Sequence, residues 1–225
     1  MFPLRAVHPP KSPPFVTRLL VVLCAGAWIY QLLSPRDLAA IYGVQPACYF
    51  SPDSCDISLA TQSEKLWQPL WASLFLHAGF LHLAFNLLFL WVFGGGVEEK
   101  LGKPRMVLFY FACGLAAHVA YVATHPFSRV PTIGASGAIA GVLGAYLFLQ
   151  PRSWILTYFP PIFLFPVPAP VFLVMWIVAQ FTGALSAVSF LDSGSAQGDN
   201  IAWVAHLGGF AFGAFWAWRF ARRKK

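Results

Sequence analysis

Charged residues in this chain fall into short clusters, and these clusters are separated by long stretches that contain no Asp, Glu, Lys or Arg. The hydrocarbon core of a bilayer takes about 20 apolar residues per helix. The uncharged stretches therefore predict an all-α fold, a polytopic bundle of six transmembrane helices. The predicted spans are residues 17–34, 76–96, 106–125, 136–150, 168–190 and 201–218.

The composition agrees with a membrane protein. Of the 225 residues, 58% are apolar and 10% are charged, whereas a soluble domain carries roughly 25% charged residues. The six spans leave no stretch for a separate soluble domain. We therefore expect a single membrane domain over residues 1–225.

The distribution of Lys and Arg predicts the orientation of the bundle. With both termini inside, 12 of the 15 Lys and Arg residues fall on inner segments and 3 on outer loops, as the positive-inside rule requires. We expect a multi-pass protein of a bacterial inner membrane with cytoplasmic N and C termini. The net charge of +7 then reflects topology, and no nucleic-acid partner is needed to explain it.

The four cysteines divide into two pairs. Cys24 and Cys113 lie inside predicted helices, where cysteine commonly serves as a small apolar residue. Cys48 and Cys55 share the first outer loop, where an oxidising compartment permits a disulfide. The sequence alone leaves open whether that bridge forms, because it does not supply the geometry.

A few polar side chains lie within the spans, where burial is costly and a functional role is the default hypothesis. They are His82 and Asn86 on the second span, Ser136 on the fourth and His206 on the sixth. Each lies 12 to 16 residues before the charged residue that closes its helix. At a rise of 1.5 Å per residue, all four stand about 18–24 Å above the inner interface. Three helices therefore bring polar groups to one depth, which predicts a shared site below the outer surface.

Glycines at helical spacing follow two of these residues. Small residues four positions apart let helix backbones approach closely in lipid, so the fourth and sixth spans can bring Ser136 and His206 together. An alternative is that these glycines serve helix packing alone. They are Gly137, Gly141, Gly144, Gly209 and Gly213.

The residue types suit nucleophilic catalysis. A serine hydroxyl needs a base, and His206 can supply one. The fourth and sixth spans contain no Asp or Glu, so the sequence predicts a Ser-His dyad. His82 and Asn86 share one helix face, and both offer N–H donors that could stabilise an oxyanion. Alone, such a His-Asn pair is more often a structural bridge.

The ordered set of motifs resembles the rhomboid family of intramembrane serine proteases. The resemblance covers residues 66–220, which we take as the core of the domain. It is carried by Gly134-Ala135-Ser136-Gly137, by Ala205-His206-Leu207-Gly208-Gly209, and by His77, His82 and Asn86 followed by Glu98, Gly102 and Gly114.

The resemblance implies a serine endopeptidase with no cofactor. Ser136 would be the nucleophile, His206 the general base and acid, and His82 and Asn86 the oxyanion donors. A short fourth helix would lift the nucleophile into a cavity that is open to the outside. Substrates would be single-pass membrane proteins, cut in or near their transmembrane segments. The fifth helix and residues 192–200 would form the gate and cap.

Two parts of the chain depart from the family pattern. Many bacterial members carry a Trp-Arg pair in the first outer loop, where this chain reads Trp67-Gln68-Pro69-Leu70-Trp71. Some members place a tyrosine one turn after the nucleophile, against the catalytic imidazole, whereas this chain has Ala140 there. What packs against His206 is therefore open. The proline-rich stretch 160–170 predicts an extended inner loop without a catalytic role, and we expect His77 to be a structural hydrogen-bonding residue.

Three other interpretations compete with that of a serine protease. An inactive rhomboid-like protein that binds transmembrane helices would usually lack the serine or the histidine, and both are present. A transporter or proton channel would use the histidines as a relay, but no carboxylate lies within the spans that carry them. A zinc metalloprotease would show a His-Glu-x-x-His helix motif, which this sequence lacks.

Overall fold

The computed structural model describes residues 1–51, 66–161, 163–189 and 197–223, with side chains outside 181–202. Within these ranges the chain is mostly helical, and its six longest helices follow the six predicted spans. They are α1 (Phe15–Leu33), α5 (Phe80–Leu101), α6 (Lys103–Thr124), α7 (Ser136–Leu149), α8 (Ala169–Ser189) and α9 (Gln197–Arg222). Short helices lie between α1 and α5: α2 (Leu38–Tyr42), α3 (Pro46–Phe50), α4 (Trp67–Ala72) and a 3₁₀ turn (Ser73–Phe75).

Three of the described helices, α1, α5 and α6, are long and apolar enough to cross a membrane. Helix α7 is apolar but has only 14 residues, and residues Ala169–Gln180 of α8 form another shorter apolar segment. Three of the predicted spans are thus helices that could cross a membrane. The count of six spans and the inward position of both termini stay predictions.

Helix α5 begins four residues later than the sequence pattern indicates. The predicted span 76–96 starts in an extended segment, because Gly79 takes φ −176° and ψ 167° as the residue before the helix. The next turn is also set by a glycine. Gly102 joins α5 to α6 and has φ +81°. Residues other than glycine rarely adopt such a positive φ.

A three-stranded antiparallel sheet corrects the all-α prediction. Its strands are β1 (Phe2–Ala6), β2 (Trp154–Phe159) and β3 (Phe163–Pro168), in the order β1-β2-β3. The stretch 160–170, expected to be an extended inner loop, therefore contains strand β3, which pairs with β2. The runs Trp154–Phe159 and Phe163–Phe165 are rich in aromatic and β-branched residues, and the prolines at 166 and 168 fall on an edge strand, where a missing N–H is tolerated.

Glu98 holds the start of α1 against α5. Its buried carboxylate accepts hydrogen bonds from the N–H of Val16 at 3.0 Å and from the N–H and hydroxyl of Thr17, both at 2.8 Å. The first N–H groups of a helix have no partner within the helix and carry its positive end, so a carboxylate here stabilises the contact. Glu98, part of the family pattern, thus has a structural role.

The two glycine-rich helices meet backbone to backbone, as the sequence predicts. A Cβ atom on Gly209 would collide with the carbonyl oxygen of Gly137, and one on Gly213 with that of Gly141. Residues 137–146 of α7 are all buried. Helix α7 therefore forms the centre of the bundle.

Cys24 and Cys113 are buried and free, as expected for small apolar fillers. Cys48 is disulfide-bonded. Cys55, the partner that the sequence offers, lies outside the described residues, as do residues 192–196 of the expected cap.

Candidate active site

A cavity of about 390 Å³ lies where α5, α6, α7 and α9 come together. Three of the four candidate residues line it: His82 on α5, Ser136 on α7 and His206 on α9. These side chains come from positions up to 124 residues apart in the chain. The fold therefore places Ser136, His82 and His206 around one cavity.

Ser136 is the first residue of α7 because an extended segment before it is pinned on both sides. Thr132 exchanges two backbone hydrogen bonds of 2.9 Å with Val44, and the N–H of Gly134 donates to the carbonyl of Ser73 at 2.8 Å. The chain can turn into a helix only after this segment ends. As the first helical residue, Ser136 also presents a backbone N–H that the helix itself does not use.

Gly134 leaves room between the serine and the first histidine. Its φ is +123°, a value that residues other than glycine rarely adopt. A Cβ atom there would lie 2.9 Å from Nε2 of His82 and 3.7 Å from Oγ of Ser136. The imidazole and the hydroxyl thus border the same small space, which only glycine keeps open.

His206 is held from one side and unpartnered on the other. Its Nδ1 lies 2.7 Å from Oε1 of Gln180 on α8, whereas its buried Nε2 has no hydrogen-bond partner among the described residues. Ser136 and His206 therefore share a cavity without a hydrogen bond between them. Such bonds are often long or absent before substrate binds.

His82 is arranged to offer a proton donor to the cavity. The N–H of Ala78 approaches Nδ1 of His82 at 3.5 Å, a long contact in which Nδ1 is the acceptor. A neutral imidazole that accepts at Nδ1 carries its proton on Nε2, and Nε2 is the atom next to Gly134. This geometry agrees with an oxyanion donor.

Asn86 lies one turn further along α5 and is not among the residues that line the cavity. It is buried, and its Nδ2 has no hydrogen-bond partner among the described residues. The Asn86 amide therefore has a free N–H donor on the helix face that carries His82. Asn86 does not, however, line the cavity with His82, Ser136 and His206.

With this geometry in place, comparisons with known proteins become informative. A family model described as "Rhomboid domain" matches residues 63–223, which is most of the chain. This chain belongs to the rhomboid family. It is accordingly a membrane protein.

Several curated rhomboid relatives share part of this sequence. The protein named Rhomboid protease GluP, from Bacillus subtilis (strain 168), is 45% identical over 92 residues, which are 41% of this chain and 17% of GluP. Rhomboid protein 1, mitochondrial, from Saccharomyces cerevisiae is 31% identical over 151 residues, 65% of this chain and 40% of the relative. Presenilin-associated rhomboid-like protein, mitochondrial, from Homo sapiens is 30% identical over 161 residues, 68% of this chain and 38% of the relative. The chain thus spans less than half of each.

In this rhomboid, aromatic residues from α8 and α9 pack against the imidazole of His206. The ring of Trp176 lies 6.2 Å from that of His206, and the ring of Trp203 lies 6.1 Å away at an angle of 87°. Ala140 is fully buried in α7. The question left open by Ala140 is therefore answered by residues on two other helices.

His77 makes the hydrogen bonds of a structural residue. Its N–H donates to Oε1 of Gln31 at 2.9 Å, and its Nδ1 lies 3.1 Å from the carbonyl of Phe75. Its ring also packs edge-on against His82, with centroids 5.2 Å apart. His77 therefore fixes the approach to α5 and supports His82.

Two polar residues of the site were not anticipated from the sequence. His118 lines the cavity and its Nε2 lies 3.1 Å from the hydroxyl of Ser73, with both residues buried. Gln180 contacts His206 directly. Both are polar side chains inside predicted spans, which is the signal that could have found them. Neither residue lies in a glycine-rich motif, so a polar side chain within a span was the one indication of a role in the site.

Proposed function

We propose that this chain is an intramembrane serine endopeptidase that cleaves transmembrane segments of membrane proteins with a Ser136–His206 dyad. The observation that carries the proposal is the shared cavity, in which a serine at a helix start faces two histidines from other helices. The names of GluP and the other relatives support a rhomboid-type activity for the family.

The chemistry follows from the atoms present. Oγ of Ser136 attacks the scissile carbonyl while Nε2 of His206 takes the hydroxyl proton. The N–H groups of His82 and Ser136, with Asn86 as a further donor, stabilise the oxyanion. His206 then returns the proton to the leaving amine. A water molecule, activated by His206 in the same way, hydrolyses the acyl-enzyme.

The proposed setting is a bilayer crossed by six helices with both termini inside. In that orientation the cavity lies towards the outer surface, where water can enter. We take the whole described chain as one membrane domain and its membrane as a bacterial inner membrane. The substrates are single-pass membrane proteins, which approach through the lipid.

A direct test uses purified protein in liposomes with fluorescent single-pass substrates. Ser136→Ala and His206→Ala should each abolish cleavage, whereas the control variants Ser34→Ala and His125→Ala, outside the cavity lining, should cleave at the normal rate. Full activity in Ser136→Ala would overturn the serine mechanism.

One observation favours a second candidate, a rhomboid-like protein that binds transmembrane helices without cutting them. Nε2 of His206 lacks a hydrogen-bond partner among the described residues, so the dyad is not assembled in this state. In the same liposomes, such a protein would capture the substrate helix but leave it intact in the wild type.

A further inference from the structure

Gln180 is a polar side chain that the proposed mechanism does not yet use. It lies on α8, is only 9% exposed, and directs Oε1 to within 2.7 Å of Nδ1 of His206. The surrounding face of α8 is apolar, and Val174, Met175 and Val178 are exposed as residues that contact lipid would be. Burying an amide in such a helix is unfavourable unless it is hydrogen-bonded, so this contact with His206 calls for an explanation.

The explanation lies in the tautomer of the imidazole. A neutral histidine can accept the serine proton at Nε2 only if its own proton is on Nδ1. The partner of one ring nitrogen determines which nitrogen is protonated. In triads, a carboxylate performs this task and also stabilises the imidazolium that forms. Among the described residues, no Asp or Glu is bonded to His206, and the amide oxygen of Gln180 occupies this position.

Trp176 supports the same arrangement. It precedes Gln180 by four residues and so shares its face of α8. Its ring packs against His206 and, with centroids 6.0 Å apart, against Phe210 on α9. The amide oxygen of Gln180 and the indole of Trp176 therefore both contact the imidazole of His206 from α8, whereas His206 itself lies on α9.

We infer that Gln180 is the positioning residue of the dyad: its amide oxygen accepts the Nδ1–H of His206, which leaves Nε2 free to act as base towards Ser136. The inference rests on the proposed serine mechanism. It also makes the base dependent on α8, since a shift that separates the two helices removes the acceptor and releases the imidazole into either tautomer.

Three substitutions separate the hydrogen bond from packing. Gln180→Leu keeps the size and removes the acceptor. Gln180→Asn keeps the amide on a side chain one carbon shorter, and Gln180→Glu keeps an oxygen acceptor in either protonation state. The matched control is Gln150→Leu, which removes a different hydrogen bond, from Nε2 of Gln150 to the carbonyl of Gly96 at 3.1 Å.

The first measurement is the rate at which a fluorophosphonate probe labels Ser136, together with kcat and KM for a single-pass substrate. Loss of a hydrogen bond to a group that becomes charged predicts a fall of about 10- to 100-fold in labelling rate and kcat for the Leu and Asn variants, with KM unchanged. The labelling rate and kcat of Gln180→Glu should stay within about threefold of the wild-type values. Those of Gln150→Leu should equal the wild-type values. Wild-type labelling in Gln180→Leu, or an equal loss in Gln180→Glu, would overturn the inference.

The second measurement is made on the wild-type protein, and a variant serves only to assign the signals. Nitrogen-15 spectra of wild-type protein with labelled histidine, assigned by comparison with His206→Ala, report which ring nitrogen of His206 is protonated. We expect the proton on Nδ1, and a proton on Nε2 would overturn the inference. Persistent cleavage by Ser136→Ala would instead defeat the serine mechanism, so the two failures are distinguishable.

Discussion

Helix α9 packs against α7 and α8 in two different ways. Against α7, which carries Ser136, the contact is made by glycines, and the carbonyl oxygens of Gly137 and Gly141 occupy the space that side chains on Gly209 and Gly213 would need. Against α8, the contact is made by large side chains, with Trp176 over His206 and Phe210. One interface is backbone on backbone, and the other is side chain on side chain.

The difference teaches which parts of the site are rigid. A backbone contact without side chains has no rotamers to rearrange, so the distance between α7 and α9 is fixed by the main chain. Aromatic and amide side chains on α8 can change rotamer and let the helix shift. The relative position of Ser136 and His206 is thus set by one interface, and the orientation of the His206 ring by another.

The largest expected effect comes from adding a single methyl group to the rigid interface. Gly209→Ala should lower the free energy of unfolding by about 3 kcal/mol, because the new Cβ overlaps a carbonyl oxygen that cannot move aside, and proteolysis should be lost. Unfolding in SDS, followed by tryptophan fluorescence, measures the first effect, and cleavage in liposomes the second.

Gly26→Ala is the matched control for that change. A Cβ on Gly26 in α1 would meet no atom within 4 Å, so stability should be unchanged or slightly higher. Equal destabilisation by both substitutions would show that the α7–α9 contact is not special.

An intermediate effect is expected from the donor on α5. Asn86→Ala should lower kcat by about 100-fold if its free amide reaches the oxyanion, with KM little changed. Cleavage kinetics over a range of substrate concentrations separate the two constants. A normal kcat would assign Asn86 to structure alone and leave His82 and the Ser136 N–H as the donors.

The smallest effect is expected at the adjustable interface. Trp176→Ala removes one aromatic contact to the imidazole, and contacts of this kind contribute about 0.5–1.5 kcal/mol. The cleavage rate should therefore fall by about 2- to 10-fold. Met175 is an exposed neighbour on α8, and Met175→Ala should leave the rate unchanged in the same assay. A larger loss in Met175→Ala than in Trp176→Ala would contradict the comparison.

Several parts of the site followed from local pattern. The glycine spacing predicted the close approach of α7 and α9. The common depth of His82, Asn86, Ser136 and His206 predicted a shared site, and three of these four residues line one cavity. These properties depend on helical periodicity, which residues near in sequence determine. Strand β1 was missed because it pairs with β2 across most of the chain, and such a pairing leaves no local trace. The β2–β3 hairpin is local, but its proline-rich second half was interpreted as an extended loop.

The sequence by itself determined approximately where the six long helices lie and which two of them pack through glycines, because both properties depend on spacing along one helix. Only the tertiary structure decided that Gln180 meets His206, that Glu98 caps α1, and that Asn86 does not line the cavity with its neighbour His82. Those outcomes depend on the rotation of each helix about its axis and on the side-chain rotamers. Packing among all the helices sets both.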